Sequence, residues 1–204
     1  MGRRAPANLK RRGPSRRERY VIAVFSEGEA TEPEYFRALV NLPEIRQRAK
    51  LELRISLTGA VPLTLVQDAV ASKKSQEADE YWCVFDVEWP RQHPNLREAS
   101  DLATRSGVHL AISNPCFEAW LILHFVDHNA HLDNDGARRR RRDLDYQGDK
   151  HLDPDLYLPH RATAAARAKR LEERHASDGN QVPHNNPSSS AYLLVAAIER
   201  AGSR

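Results

Sequence analysis

Tyr20-Val21-Ile22-Ala23-Val24-Phe25-Ser26-Glu27-Gly28 decides the fold class. Six apolar residues, several of them β-branched or aromatic, stop abruptly at a serine, a glutamate and a glycine. Such a run reads as a strand buried on both faces, as in the interior of a parallel sheet. A helix is expected next, over Thr31 to Asn41. Thr31-x-x-Glu34 has capping-box spacing, Pro33 suits a first turn, and Tyr35, Phe36, Leu39 and Val40 make one apolar stripe.

Outward from this unit the alternation repeats. Leu51, Leu53, Ile55 and Leu57 mark a period-two strand, and Pro62 to Lys74 a helix with Leu65, Ala69 and Val70 inward. Tyr81 to Phe85 is a third strand and delivers Asp86. Asn95 to Ser106 is a helix turning Leu96, Ala99, Leu102 and Ala103 to one side. Val108 to Ile112 is a fourth strand. Asn114 and Pro115 are then expected to open a helix reaching about Phe125, asparagine as N-cap and proline as first helical residue. The pattern predicts an α/β fold, a parallel-sheet Rossmann-like core with helices on both faces. A polar insertion over about 127–160 follows, with a short helix around the arginines. Helices over Arg161 to His175 and Ser188 to Ala201 close the chain, the latter docking through Leu194, Ala197 and Ile198. Residues 20–204 are expected to form one domain behind a flexible basic arm, 1–19.

Composition agrees with a globular protein: 204 residues, 40% hydrophobic and 29% charged. No apolar run approaches the ~20 residues of a membrane span. The basic N-terminus lacks the apolar segment of a signal peptide. Cys83 and Cys116 cannot make a disulfide framework. A cytosolic, reduced protein without membrane attachment is expected. The net charge of +3 hides an uneven distribution. Residues 1–19 carry eight Lys or Arg against Glu18, and Arg138 to Arg142 form a second basic run. Runs of this kind are either solvated faces or phosphate-neutralising segments that give salt-sensitive affinity for nucleic acid.

In open parallel sheets ligands bind beyond the carboxyl ends of the strands, which singles out Glu27, Asp86 and Ser113-Asn114. On an extended chain Asp86 and Glu88 point the same way and can share a hard cation. Any one of these acids alone would ordinarily be a solvated loop residue. Three brought to neighbouring strand ends repel one another unless a metal or a proton compensates. Mg²⁺, with Mn²⁺ as the alternative, suits Glu27, Asp86 and Glu88 because it keeps water positions that phosphate oxygens can take. His124, His128 and His131 share i, i+4, i+7 spacing but lack HExxH or a fourth ligand; near a helix end they are expected to be exposed. The absence of GxxxxGK[ST], GxGxxG and GxSxG removes P-loop, dinucleotide and hydrolase readings.

Four blocks carry a resemblance. Ser26-Glu27-Gly28-Glu29-Ala30-Thr31-Glu32-Pro33-Glu34-Tyr35-Phe36, Val84-Phe85-Asp86-Val87-Glu88, Ser113-Asn114-Pro115-Cys116-Phe117-Glu118-Ala119-Trp120-Leu121 running on to His124-Phe125, and Asn186-Pro187-Ser188-Ser189-Ser190-Ala191 resemble, in order and spacing, the motifs of the RloB-like family. The resemblance implies a Toprim-like core in which Glu27 and the Asp86 pair bind Mg²⁺ for phosphoryl transfer. Glu88 stands where that family's motif has a second aspartate, which lengthens the arm and leaves the metal geometry open. It also implies Glu118 near the metal or substrate, and Lys150 as the match to a basic residue of the family's central segment that contacts substrate. Asn114 at the strand end and the basic run with Arg138, Arg139 and Arg140 are the substrate contacts expected from the residues themselves, the N-terminal arm adding to them. The family's association with prokaryotic restriction and anti-phage loci, often beside an ABC-type ATPase gene, implies an antiviral role.

The function expected is therefore a Mg²⁺-dependent nuclease effector of bacterial anti-phage defence, of the abortive-infection kind, working with an ABC-type ATPase. Its substrate is RNA (tRNA included) or DNA; an oligomer is compatible. Two alternatives stay open: a non-catalytic sensor or binding subunit of an ATPase complex, and Toprim-type nucleotidyl transfer.

Overall fold

Alternate residues of the first strand face opposite ways, and both ways are apolar. In the computed structural model, which describes residues 19–28, 30–47, 49–55, 61–148 and 152–203, β1 spans Tyr20–Ser26. Ile22 and Val24 face one core and Ala23 and Phe25 the other. β3 (Glu80–Asp86) repeats the pattern, with Trp82 and Val84 on the first side and Tyr81, Cys83 and Phe85 on the second. Arm residues 1–18, Leu57 and Lys150 lie outside the described residues.

The chain runs β1, α1 (Thr31–Val40), β2 (Ala49–Ile55), α2 (Pro62–Lys73), β3, α3 (Leu96–Ser106), β4 (His109–Asn114), α4 (Glu118–Phe125). It continues through α5 (Asn134–Asp145), α6 (Pro154–Tyr157), a 3₁₀ turn (Leu158–His160), α7 (Arg161–Ser177), β5 (Ser188–Ser189) and α8 (Ala191–Ser203). The sheet order is β2-β1-β3-β4-β5, parallel except for β5. The chain leaves β1 toward β2 and then returns to place β3 on the other side of β1. That reversal is a switch point, and it opens a crevice beyond the carboxyl ends of β1 and β3. Right-handed crossovers send α1 to one face and α2 and α3 to the other. α1 joins the core of Trp120, Leu121 and Leu123, whereas Leu65, Val66 and Ala69 of α2 meet Ala99 and Ala103 of α3.

Several expectations need correction. The helix after β4 does not begin at Asn114, because β4 runs through Asn114 and α4 starts at Glu118 behind Phe117. Asn114 is fully buried, 0% exposed, and its Nδ2 donates to Pro183 O (2.9 Å) and Asn185 Oδ1 (3.0 Å), so it ties down a distant loop. Ala30, not Thr31, precedes the first turn of α1, and no side chain caps it. Glu34 accepts a hydrogen bond from Leu152 N instead of closing a capping box. On α2, Val66 is buried and Val70 only half-buried. The segment 127–160 contains a full twelve-residue helix, α5. Ser188-Ser189 pairs as a strand with Ser113 and Asn114 before α8 begins.

His124 is also corrected. The helix ends at Phe125, so His128 and His131 do not continue its face, and His124 is 2% exposed. Its Nδ1 lies 3.0 Å from Trp120 O, which can only accept, so Nδ1 carries the hydrogen. Nε2 then accepts from Tyr35 Oη at 3.0 Å. This buried pair links α1 to α4, and burial drives the imidazole pKa down to about 3.

Candidate metal and phosphate site

Glu27 follows β1 directly, with its N–H donating to Val84 O of β3 (3.2 Å). Asp86 is the last residue of β3. The chain then turns sharply: Val87 N–H donates to Ser113 O (2.9 Å), Glu88 N–H to Pro115 O (2.8 Å), and Glu88 takes φ of 68°. Glu88 thus reaches the crevice through a left-handed turn, not along the extended chain that the sequence suggests. Its Oε2 accepts from Asn134 Nδ2, and Asn134 also exchanges hydrogen bonds with the Trp89 backbone. The N-terminus of α5 is thereby docked against the acidic loop, its positive end toward carboxylates.

The four acids expected at the site line one cleft. Glu27, Asp86, Glu88 and Glu118 border a cavity of about 440 Å³ together with Gly28, Glu32 and Arg138. Glu118 enters as the first residue of α4. Of the basic run only Arg138 reaches the cleft; Arg139 is exposed and Arg140 half-buried beyond it. Arg141 departs from the idea of five phosphate-tracking arginines. It is 1% exposed, with Nε 2.7 Å from Asp145 Oδ2 and within reach of Tyr157 Oη. Asn114 is not among the lining residues.

Glu32 is the residue sequence reasoning missed. It sits in the first turn of α1, 9% exposed, and was legible only as one more acid suited to a helix start. The available signal was topological: a helix that follows a strand begins beside that strand's carboxyl end, so its first-turn acid shares the crevice. Gly28 lets the Glu32 carboxylate lie against the chain there, since a Cβ at that position would oblige the Glu32 side chain to move. His93 was missed too; its Nε2 stands 3.0 Å from Glu27 Oε1.

The electrostatics are those of crowded like charges. Burial raises the Asp86 carboxyl well above the ordinary range, and Glu32, Glu118, Glu88 and Glu27 add repulsion. Burial likewise pushes Glu32 up to about 7, with Glu118 and Glu27 contributing and a backbone hydrogen bond opposing. The contact with Glu27 raises His93 against the effect of its partial burial. Glu27 Oε2 is buried without a hydrogen-bond partner. Among the described residues, no three or more His, Cys, Asp or Glu side chains are already arranged to enclose an ion. The donor set is nevertheless all hard oxygen, with one buried oxygen orphaned. It fits a cation held by one or two carboxylates and several waters better than a closed protein cage. Among the described residues no helix is long and apolar enough to cross a membrane.

No curated protein and no solved structure matches the chain. The family model described as RloB-like protein matches residues 22–198, spanning both strand-end acids, Glu118 and the Asn186 element, and the chain belongs to the RloB-like family.

Proposed function

We propose that the cleft binds Mg²⁺, or Mn²⁺, and hydrolyses phosphodiester bonds of nucleic acid. The supporting observation is that acids from the ends of β1 and β3 and from the starts of α1 and α4 share one cleft with Arg138. Glu27, Asp86 and Glu88 would hold the metal, which when bound polarises a phosphate and lowers the pKa of an attacking water. Glu32 and Glu118 would add oxygens able to accept hydrogen bonds from an attacking water. Arg138 supplies the cation that draws a phosphate into an otherwise anionic cleft, its guanidinium pKa raised by Glu118, Cys116, Glu88 and Asp135 against burial. A Toprim-like relationship rests on the glutamate after β1 and the acidic pair after β3. The antiviral effector role and the ABC-type ATPase partner rest on family membership.

The test is cleavage of labelled RNA and DNA, single- and double-stranded, by the purified chain with and without its ATPase, in Mg²⁺, Mn²⁺ or EDTA. The parent should cut in metal and not in EDTA, and Asp86→Asn should not cut. Equal cleavage by Asp86→Asn, or none by the parent with metal and ATPase present, refutes the reading.

A further inference from the structure

Tyr146 ends α5 in a conformation and an environment that the fold itself gives no reason for. Its φ is 57°, the left-handed region that helix C-termini ordinarily fill with glycine or asparagine. A tyrosine there carries a steric cost. That cost returns no packing, since the residue is 89% exposed. The turn is nonetheless well fixed. Tyr146 N–H donates to Arg142 O (2.9 Å) and Gln147 N–H to Asp145 Oδ1 (2.9 Å). Asp145 is in turn held in the core by Arg141 and the Tyr157 hydroxyl. A buried ionic anchor thus presents a bare aromatic ring at a fixed place.

That place lies on the same helix that carries Arg138 into the acidic cleft. Eight residues separate Arg138 from Tyr146, about 12 Å along the axis at ~1.5 Å per residue. Arg139 and Arg142, at i, i+3 spacing, lie along one side of α5, and Tyr146 caps the end of the helix toward which they lead. Among the described residues, acids close to this run include Asp143, exposed, Asp135, 3.7 Å from Arg138, and Glu118 and Glu88, which act on Arg138 from the cleft. Arginines leading from a cleft to an exposed ring are the parts of a single-strand track: cations follow the backbone and an aromatic face stacks a base. At ~3.4 Å per stacked nucleotide the spacing covers roughly three nucleotides. In a duplex the bases are already stacked on each other, and the ring has no free face to meet.

We propose that Tyr146 is a base-stacking subsite, and that the nucleic acid entering the cleft along α5 is single-stranded. This rests on the nuclease reading and narrows its substrate class. The experiment measures binding in the full-length Asp86→Asn protein, so that no cleavage intervenes. Fluorescence anisotropy would follow short labelled single strands and the corresponding duplex. Adding Tyr146→Ala should weaken single-strand binding about tenfold, and Tyr146→Phe should bind like its parent. Duplex binding should be unaffected by either. Tyr146→Asn suits the left-handed backbone while removing the ring, and it should lose as much as alanine, so an unfolded turn is not the cause. Single-strand binding that ignores Tyr146→Ala, or a loss shared by Tyr146→Phe, overturns the subsite alone. Failure of both the Asp86→Asn protein and the parent in Mg²⁺ to bind any nucleic acid overturns the nuclease reading as well.

Discussion

Replacing Glu32 by glutamine should make the metal-free protein harder to melt at pH 8 and leave it little changed at pH 5. The Glu32 carboxyl is raised from 4.5 to about 7, chiefly by burial. A group raised in the folded state keeps a proton that the unfolded chain releases. Its stabilising contribution is complete below pH 4.5 and is lost as pH rises through 7. At ~1.4 kcal/mol per pH unit the interval amounts to about 3 kcal/mol by pH 8. Asp86 is raised partly by Glu32, so relieving it acts in the same direction. Glutamine keeps the shape and removes the charge. For a chain of this length ~3 kcal/mol corresponds to roughly 6–12 °C in melting temperature. Calorimetric or fluorescence melts in EDTA should show Glu32→Gln that far above the parent at pH 8, with the two within a few degrees at pH 5. Mg²⁺ at pH 8 should then raise the parent more than the variant, because only a site that gains by binding responds to mass action. A variant melting below the parent by the same margin at both pH values would show that Glu32 is a paired structural carboxylate, and the crowded-charge account would fail.

Asp86→Asn should leave the metal-free fold as stable as the parent or slightly more so, while abolishing the Mg²⁺-dependent rise in melting temperature; a large fall in stability with an unaltered Mg²⁺ response contradicts the metal site. His124 has its pKa depressed to about 3, so the stability it contributes is present above 6.5 and declines as pH falls below that value. Urea melts at pH 7 and pH 5 should lose about 2 kcal/mol less in His124→Gln than in the parent, and parallel pH profiles would exclude a buried neutral imidazole. Arg141→Ala should destabilise by about 3–5 kcal/mol, since it strands buried Asp145. Arg139→Ala should instead leave stability alone and reduce the salt slope of single-strand binding by about 0.7; the opposite assignment of effects would refute the division of the arginine run.

The sheet and the crevice were readable because burial leaves a plain signature. Apolar runs ending in Ser26-Glu27-Gly28 and in Asp86 mark strands whose polar ends must emerge at the ligand-binding edge. What was not readable depended on tertiary partners. An acid at i+4 does not single out Arg141, because Arg139 and Asp143 have the same spacing as Arg141 and Asp145. The helical phase turns one arginine toward Asp145 and Tyr157, and that contact is completed only when α6 folds back on α5. Asn114 followed by proline has the residues of a helix start, yet the strand runs on to pair with Ser188-Ser189, whose partners lie some seventy positions away. Glu32 was hidden by ambiguity, since an acid in a first turn serves a helix and a cleft equally well.

The hydrogen bond between Tyr35 and His124 has a mechanical consequence. Tyr35 lies one turn beyond Glu32 on α1, and His124 lies six residues beyond Glu118 on α4. The two helices are therefore the arms of a calliper pinned in the apolar core, and the gap between its acidic tips is set where solvent cannot reach. Screening by salt loosens surface ion pairs but leaves such a pin untouched. The jaw should hold one width across a broad range of ionic strength. Volume changes at Tyr35 should be felt first as altered discrimination between cations of different radius, Mg²⁺ against Ca²⁺, measured as the ratio of their effects on melting temperature.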